Sequence, residues 1–463
     1  MHGFLGECEC FLTHHPIHMK YTHHTAQGTL FSFDTMKVEL PKDHELIRMS
    51  EEIDWEGMVE IVGKKYSGTE GRPSVSIRMM IGLEIAKRKY GMSDEDVVEQ
   101  LKVDLALKMF CGFDSCDHEV PEASSLTVFR RRLDQETLRQ MEEVNVRKIM
   151  RKVPLRIRHQ VIVDSTCVPA NITYPTDSKL LAAVWKNLTG SLQKMRASGV
   201  SLVIRGKRKT ASLIRSFNLK RRKTRKEIIR MNRRLIRMGN RMMHRVQETL
   251  KEHGRGISGK LRKNIRKVIR TAKEILRQQT EMIHRKTRRV KDRIVSFHEP
   301  LVRPIFRGKD SSGTEFGPKV RVNVVGGALI QSSGVMHDNA SDTKMVRAAW
   351  KTHRRTFGHD PTELIADRGA HSPKNHALLK RKGIVDGVQY RGKIPRQASL
   401  APPRTLRRMY RQRAARGEGL IGVFKRRYQG DRNRYRNKNA QAWISFGMIA
   451  MNGAWAAKRS MAV

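Results

Sequence analysis

The chain has 463 residues, enough for several domains and at least one sizeable hydrophobic core. Its formal net charge of +48 and pI of about 10.8 far exceed what solubility needs, so we expect a polyanionic partner, with DNA or RNA ahead of an anionic membrane surface. No run approaches the roughly 18 apolar residues of a membrane-spanning helix, no secretory leader is apparent, and five unevenly spaced cysteines are typical of a reducing compartment, so we expect a cytoplasmic protein.

The first 40 residues look irregular, and helices are predicted from there to about residue 152. Within RPSVSIRMMIGLEIAKRKYG, apolar residues recur at helical spacing between Pro73, which precedes the first turn, and Gly91, which ends the pattern. We therefore predict a helix between these two residues, inside an all-α domain over residues 41–152.

Two further helical segments follow. Ser93 and Asp96 form a capping-box pattern, and Val97, Leu101 and Leu105 fall on one face of the helix that begins there. A later segment, SSLTVFRRRLDQETLRQM, carries three adjacent cations, namely Arg130, Arg131 and Arg132. Short helices with a basic last member favour a helix-turn-helix-like domain that binds DNA through these arginines. The same pattern also fits a plain helical bundle whose arginines form a solvated face.

The apolar run from Val161 to Val163 predicts a buried strand that ends at Asp164. In VIVDSTCVPANITYPTDSKLL, the β-type residues stop at this acid and a polar loop begins. An acid at the end of a buried strand is a common holder of a catalytic metal, because the strand is rigid and its end is open to water.

Residues 186–299 are the most basic part of the chain, with about 36 Lys and Arg against about seven acids. Apolar residues recur there at helical spacing, as in Ile228, Leu235 and Val246 and again in Ile265, Ile269 and Ile275. We predict long amphipathic helices that form a basic insertion and bind phosphates. A helical hairpin used only for dimerisation is the competing interpretation.

After the insertion, predicted strands and helices alternate. KVRVNVVGGALIQSSGVM predicts two strands joined by a Gly-Gly pair, followed by a helix that ends at Gly358. TELIADRG predicts a short buried strand ending at Asp367, SPKNHALLKRKG a helix capped by Ser372, and IVDGVQYR another strand before the final helices. With the earlier strand, this predicts an α/β core, residues 153–185 and 300–463, interrupted by the insertion.

Three acids in separate segments have settings suited to catalysis: Asp164, Asp367 and Glu418. Glu418 lies in a helical run, where Arg411 seven residues before it and Lys425 seven residues after it share its face. Two divalent ions bridged by carboxylates can activate a nucleophile and stabilise a leaving oxygen in phosphodiester chemistry. Because Mg²⁺ prefers oxygen ligands, the three acids indicate Mg²⁺-dependent chemistry on nucleic acid, with Mn²⁺ able to substitute.

The segments around these acids resemble bacterial insertion-sequence transposases of the DDE class. They are DSTCVPANITYPTDSKLL, RPIFRGKDSSGTEFGPKVRVNVV, IADRGAHSPKNHALLKRKGI and RGEGLIGVFKRRYQGDRNRYRNKNAQAWISFGMIAMN. The resemblance extends from about Leu40 onward and implies an RNase H-like catalytic core, Mg²⁺-dependent cleavage at the ends of an insertion sequence, and joining of those ends to target DNA. It makes Asp164, Asp367 and Glu418 the catalytic, metal-holding acids, and it implies a nucleoid-associated homodimer or higher synaptic complex.

The resemblance also implies DNA contacts. Lys425 matches the lysine of the family's Tyr-Arg-Glu-Lys motif, which contacts phosphates, and Arg426 and Arg427 extend this clamp. Further phosphate-binding candidates are Arg307, Lys309 and Lys319.

The tyrosine and arginine of that motif are harder to place. Tyr410 and Arg413 have the correct mutual spacing but lie one position too far from Glu418, where strict spacing gives Arg411 and Ala414. Tyr410, Arg411 and Arg413 therefore all stay candidates for DNA contact.

Four other acids could support a metal, more often indirectly than as ligands: Asp177, Glu315, Asp338 and Asp342. Two other classes of function also stay open. One is a catalytically inactive or domesticated DNA-binding relative without nuclease activity, and the other is a basic RNA-binding scaffold.

Overall fold

The computed structural model describes residues 19–20, 41, 43–67, 72–113, 120–287, 289–306, 313–337, 341–392, 394, 401–435 and 439–460. The chain divides into two compact units, one comprising Met1–Pro154 with Ser445–Val463 and the other Leu155–Ile444. Each unit buries apolar side chains of its own. None of the described helices is long and apolar enough to cross a membrane.

The first unit is mainly helical, as the sequence predicted. Its elements are β1 (Met19–Lys20), α1 (Glu45–Glu52), α2 (Trp55–Gly63), β2 (Arg72–Pro73), α3 (Ile77–Tyr90), α4 (Asp94–Val103), α5 (Leu105–Phe110), α6 (Ala123–Arg132) and α7 (Gln135–Ile149), with the last helix of the chain from Ser445 onward. The two short strands pair in parallel.

Local side-chain chemistry fixes several of these helix ends. Gly91 ends α3 in the left-handed conformation at φ 77°, and Ser93 and Asp96 form the predicted capping box at the start of α4. The prediction that Leu105 continues α4 was wrong. Asp104 ends α4 and its carboxylate accepts a hydrogen bond from the Leu107 amide at 2.9 Å, so a new helix begins there.

The second unit contains a five-stranded mixed sheet, which confirms the α/β prediction. Its strands are β3 (Gln160–Cys167), β6 (Lys319–Val325), β7 (Leu329–Met336), β8 (Glu363–Ala366) and β9 (Val385–Val388), and a separate hairpin is formed by β4 (Pro304–Phe306) and β5 (Thr314–Phe316). The sheet order is β7-β6-β3-β8-β9, with β7, β6 and β3 antiparallel and β3, β8 and β9 parallel. Gly326 and Gly327, both at φ near 60°, form the predicted turn between β6 and β7.

Two helices cover one face of the sheet. They are α12 (Met345–Phe357), which ends at Gly358 in the left-handed conformation, and α13 (Pro373–Arg381), which Ser372 caps as predicted. Val161 and Val163 of β3 pack in one apolar core with Met345 and Val346. The central strand is thereby held from both edges and from one face.

The basic insertion folds into four helices. They are α8 (Asp177–Ala197), α9 (Lys207–Leu219), α10 (Arg225–His253) and α11 (Gly259–His284). Their shared core includes Leu235, Val246, Ile265 and Ile275, which the helical spacing predicted. The helical part begins at Asp177, nine residues before the predicted boundary at 186, because Thr176 caps α8 through the Lys179 amide.

The C-terminal part of the second unit is a helix of mixed type. It consists of α14 (Pro403–Gln412), a π-helix (Arg413–Glu418) and α15 (Gly419–Arg427), and the chain then continues to α16 (Ala440–Arg459). In the π-helix, backbone hydrogen bonds join residues five apart instead of four, so one residue more than in an α-helical turn is accommodated.

Candidate active site

A cavity of about 540 Å³ in the second unit brings the three predicted acids together. Asp164 comes from β3, Asp367 directly follows β8, and Glu418 is the last residue of the π-helix. The other lining residues are Ser165, Thr166, Cys167, Ile305, Lys319, Asp342, Arg413, Ile421, Gly422 and Lys425. Acids from three distant segments therefore face one space.

Strand register explains why Asp164 and Asp367 are neighbours. The parallel pairing of β3 with β8 ends at Val163 opposite Ala366, so the two aspartates occupy the next position on strands that lie about 4.8 Å apart. Asp164 is not at the end of its strand, contrary to the sequence prediction. β3 continues to Cys167 because Ser165, Thr166 and Cys167 pair with β6 on the other side.

A close helix–strand approach places Glu418. A Cβ built on the buried Gly417 would lie 3.0 Å from Cγ2 of Ile162. Ile162 and Asp164 are two residues apart on β3 and project from the same face of the sheet. Glycine next to Glu418 thus lets the π-helix pack against the face that carries Asp164.

The π-helix explains how Arg413 reaches Glu418 despite its shifted spacing. Arg413 lies five residues before Glu418, the spacing of the hydrogen bonds in a π-helix, and its Nη2 donates to Glu418 Oε1 at 3.1 Å. Its Nη1 lies 3.8 Å from Asp164 Oδ2. Arg413 therefore spans two of the three acids, whereas Arg411 is exposed and does not line the cavity. The prediction that Arg411 shares a face with Glu418 and Lys425 was wrong, because it assumed an unbroken α-helix.

Burial and like charges raise the pKa of Asp164 to about 6. The largest cause is loss of water around its carboxyl group, and the charges of Asp367 and Glu418 add to it. The Ser165 amide, which donates to Asp164 Oδ1 at 2.7 Å, and the Arg413 guanidinium act in the opposite direction. The cavity is thus short of positive charge at Asp164.

The remaining cations near the cavity differ in exposure and in ion pairing. Lys425 lines the cavity from α15, and Arg426 and Arg427 are exposed beyond it. Lys319 is buried, and its Nζ forms an ion pair with Asp342 at 2.6 Å. A DNA contact by Lys319 stays a prediction, whereas its bond to Asp342, one of the lesser candidate acids, fixes that acid in the cavity wall.

Two sequence matches to known proteins accompany this geometry. Residues 34–132 match the family described as Transposase domain (DUF772). The chain is also 34% identical over 138 residues to the uncharacterized protein ORF8 in the nfe locus of Rhizobium meliloti, a stretch that is 29% of this chain and 66% of that protein. The match places a transposase domain in the N-terminal part of the chain. No solved structure matches it.

The matched transposase domain includes the three predicted DNA-binding arginines of α6. Arg131 is exposed, and Arg132 packs over the Tyr66 ring at 5.0 Å. The prediction for Arg130 was wrong: its side chain is 4% exposed, and its guanidinium forms ion pairs with Glu84 and Asp94, each at 2.5 Å. A charge committed to two acids in the interior cannot reach a phosphate.

Other predicted residues lie away from the acid cavity or outside the described residues. Tyr410 lies near Asp386, and burial followed by that charge raises its pKa. Asp177 is paired with Arg293 at 2.7 Å, and Glu315 lies on β5 outside the cavity lining. Arg307, Lys309 and Asp338 lie outside the described residues, as does nearly all of the extension 1–40.

Sequence reasoning missed the support of Asp367. Its Oδ1 accepts from the Gly369 amide at 2.9 Å, and the amide group of Asn375 donates to the carbonyls of Ala370 (2.7 Å) and Thr343 (2.8 Å). These bonds tie the turn after β8 to the cavity wall that carries Asp342. The spacing of Asn375 after the strand-end acid was the available signal, but a helical position alone does not reveal these acceptors.

A second missed feature is a chain of hydrogen bonds beyond that turn. His371 Nδ1 lies 2.9 Å from His376 Nε2, and His376 Nδ1 lies 2.5 Å from Asp386 Oδ2. The His376 ring stacks on Tyr390 with centroids 4.0 Å apart. The segment that follows Asp367 is therefore anchored to α13 and β9.

Proposed function

We propose that the chain is a DDE transposase that cleaves DNA at the ends of an insertion sequence and joins those ends to target DNA. The observation that carries the proposal is the convergence of Asp164, Asp367 and Glu418 on one cavity, from segments spread over half the chain. The mixed sheet with Asp164 on its central strand supports an RNase H-like core. The transposase domain of the first unit supports DNA as the substrate.

The donor chemistry of the cavity fits Mg²⁺. All three candidate ligands offer carboxylate oxygens, and the raised pKa of Asp164 marks a place where a cation would offset buried negative charge. Among the residues that the structure describes, no three His, Cys, Asp or Glu side chains are grouped to hold one ion together. The arrangement therefore fits acids that act in pairs, and Asp164 belongs to both pairs because the charges of Asp367 and Glu418 both act on it.

We therefore assign Asp164, Asp367 and Glu418 as the residues that would hold Mg²⁺, with Mn²⁺ able to substitute. When bound, Mg²⁺ would supply the positive charge that activates an attacking oxygen and stabilises the leaving oxygen in phosphodiester chemistry. The chain's own contribution is to fix the three carboxylates on a central strand, a capped turn and a close-packed helix.

The cations around the cavity bind and orient the DNA strand in this proposal. Lys425 lines the cavity and would hold a phosphate beside the scissile bond, and the exposed Arg426 and Arg427 would contact neighbouring phosphates. Arg413 forms ion pairs with both Asp164 and Glu418 and would orient these two acids. Water or a DNA 3′ hydroxyl would attack phosphorus in line, and the 3′ oxygen of the cleaved bond would leave. Two or more copies would act together, since two ends must be joined to one target.

The proposal is tested by measuring DNA cleavage by the Asp164→Asn variant. The substitution preserves shape and removes a charge, so we expect the variant to bind duplexes taken from the DNA that flanks the gene and to lose Mg²⁺-dependent cleavage by at least about 10³-fold. Asp292→Asn is the matched control, because Asp292 is an exposed acid at φ 53°, a conformation that asparagine tolerates. Wild-type cleavage by Asp164→Asn would exclude the proposed chemistry, and binding without cleavage by the wild-type chain would favour the inactive DNA-binding relative.

A further inference from the structure

The helical insertion has two grooves between α10 and α11 that differ in charge compensation. Both lie beside the apolar seam where Leu235 and Ile236 of α10 and Ile275 and Leu276 of α11 pack together. Both are rich in cations, so composition alone does not separate them. Ion pairing does.

One groove, of about 490 Å³, has its two arginines paired with acids. Arg277 pairs with Glu274 at 2.6 Å and with Glu281 at 3.0 Å, and Arg285 pairs with Glu281 at 3.2 Å. We call this the compensated groove. Its arginines have partners on their own helix one turn away, which is how a solvated helix face is normally stabilised.

The other groove, of about 990 Å³, has no acid among its described lining residues. Its lining residues are Lys226, Ile229, Arg230, Arg233, Ile236, Arg237, Thr280, Ile283, His284 and Lys286. Within the described part of the chain, Lys226, Arg230, Arg233 and Arg237 form no ion pair, and all four are exposed. We call this the cationic groove. Four like charges along one helix repel one another, so a bound polyanion would relieve this repulsion.

The spacing of the four cations matches a DNA backbone. From Lys226 to Arg237 the helix rises about 16 Å at 1.5 Å per residue. One strand of B-DNA places a phosphate every 3.4 Å along the helix axis, so about five phosphates of one strand face this stretch. The four cations of the groove are therefore matched by about five phosphates of one strand.

We propose that the cationic groove is a second docking surface for duplex DNA, separate from the acid cavity, that binds the backbone without reading its sequence. This inference rests on the proposed function only in taking DNA as the substrate. The described lining offers a row of exposed lysine and arginine side chains and no acid, and such a row matches the regularly spaced phosphates of a backbone.

The test is the salt dependence of binding to a short duplex of arbitrary sequence, measured by fluorescence anisotropy on the full chain without divalent ions. The variant Arg230→Gln/Arg233→Gln/Arg237→Gln removes three charges from the cationic groove. The control Lys273→Gln/Arg277→Gln/Arg285→Gln removes the same net charge around the compensated groove. Glutamine keeps helix propensity close to that of arginine, and circular dichroism verifies that both variants are folded.

We expect the cationic-groove variant to make the negative slope of log K against log salt shallower by about 2.7, which is roughly 0.9 for each of three phosphates. Between about 50 and 200 mM salt, binding by the wild-type chain then falls roughly 40-fold more than binding by this variant. The control should change the slope by less than about one.

Equal slope changes in the two variants would overturn the proposal, because the effect would then come from net charge alone. A steeper slope with duplex RNA than with duplex DNA would also overturn it. Neither result depends on cleavage. The groove variants therefore test this binding surface, whereas Asp164→Asn tests the proposed chemistry.

Discussion

Gly417→Ala tests how closely the helix that carries Glu418 must approach the central strand. The added Cβ would lie 3.0 Å from Ile162 Cγ2, whereas carbon atoms prefer a separation of about 3.5 Å or more. Ile162 is fully buried on a strand paired on both sides, so the helix must move, by about 0.5 Å. Overpacking of this kind costs about 1–3 kcal/mol, partly offset by the higher helix propensity of alanine.

The displacement matters more for catalysis than for folding. Catalytic side chains must be held within about 0.5 Å of their productive positions, and a 1 Å error costs on the order of 10²-fold in rate. We therefore expect Gly417→Ala to lower the cleavage rate about tenfold while the free energy of unfolding, measured with urea, falls by no more than about 2 kcal/mol.

Gly419→Ala is the matched control two residues away. Apart from its own helical backbone and chain neighbours, no described atom lies within 4 Å of its added Cβ, and Gly419 has helical φ and ψ of −61° and −50°. We expect it to leave cleavage unchanged and to stabilise the fold by about 0.4–1 kcal/mol. Equal cleavage rates in the two alanine variants would refute the argument that Gly417 positions Glu418.

Two further predictions concern stability. His353 is fully buried and its pKa is lowered to about 4, mainly by burial, so it is neutral when folded but binds a proton near its ordinary value of about 6.5 when unfolded. Its contribution to the free energy of unfolding is therefore fully present above about pH 6.5 and decreases as the pH falls toward 4, by about 2 kcal/mol at pH 5; urea unfolding at pH 7.5 and 5.0 should show this, and an undiminished pH dependence in His353→Gln would contradict it. In the first unit, Arg130→Met should cost about 3–5 kcal/mol because the buried Glu84 loses its ion pair with Arg130, whereas Arg131→Met should cost less than about 0.5 kcal/mol; similar losses in the two variants would disprove the buried role of Arg130.

Helix ends and the β-hairpin could be predicted from the sequence because single residues determine them. Gly91 and Gly358 take the left-handed conformation that ends a helix, and Ser93 and Ser372 supply the oxygen that the first free amides need. The convergence of Asp164 and Asp367 was also predictable, because each follows an apolar run of the kind that pairs in a central sheet.

The errors arose where three-dimensional contacts decide. The spacing of Arg411, Glu418 and Lys425 fits an α-helix, but packing of Gly417 on Ile162 accompanies a π-helix, and Arg413 faces Glu418 instead. Arg130 belongs to a basic run that resembles an exposed face, yet two acids from α3 and α4 take up its charge. Periodicity shows which residues share a face but not which partner that face meets.

The central claim is that Asp164, Asp367 and Glu418 act as one catalytic unit. The most direct measurement compares Mg²⁺-dependent cleavage of end DNA by Asp164→Asn, Asp367→Asn, Glu418→Gln and the double variant Asp164→Asn/Glu418→Gln. Residues that act as a unit have non-additive effects, so we expect each single substitution to abolish cleavage and the double variant to be no worse than the singles, with DNA binding retained in all four. Wild-type cleavage in any single variant, or losses that multiply in the double variant, would contradict the account.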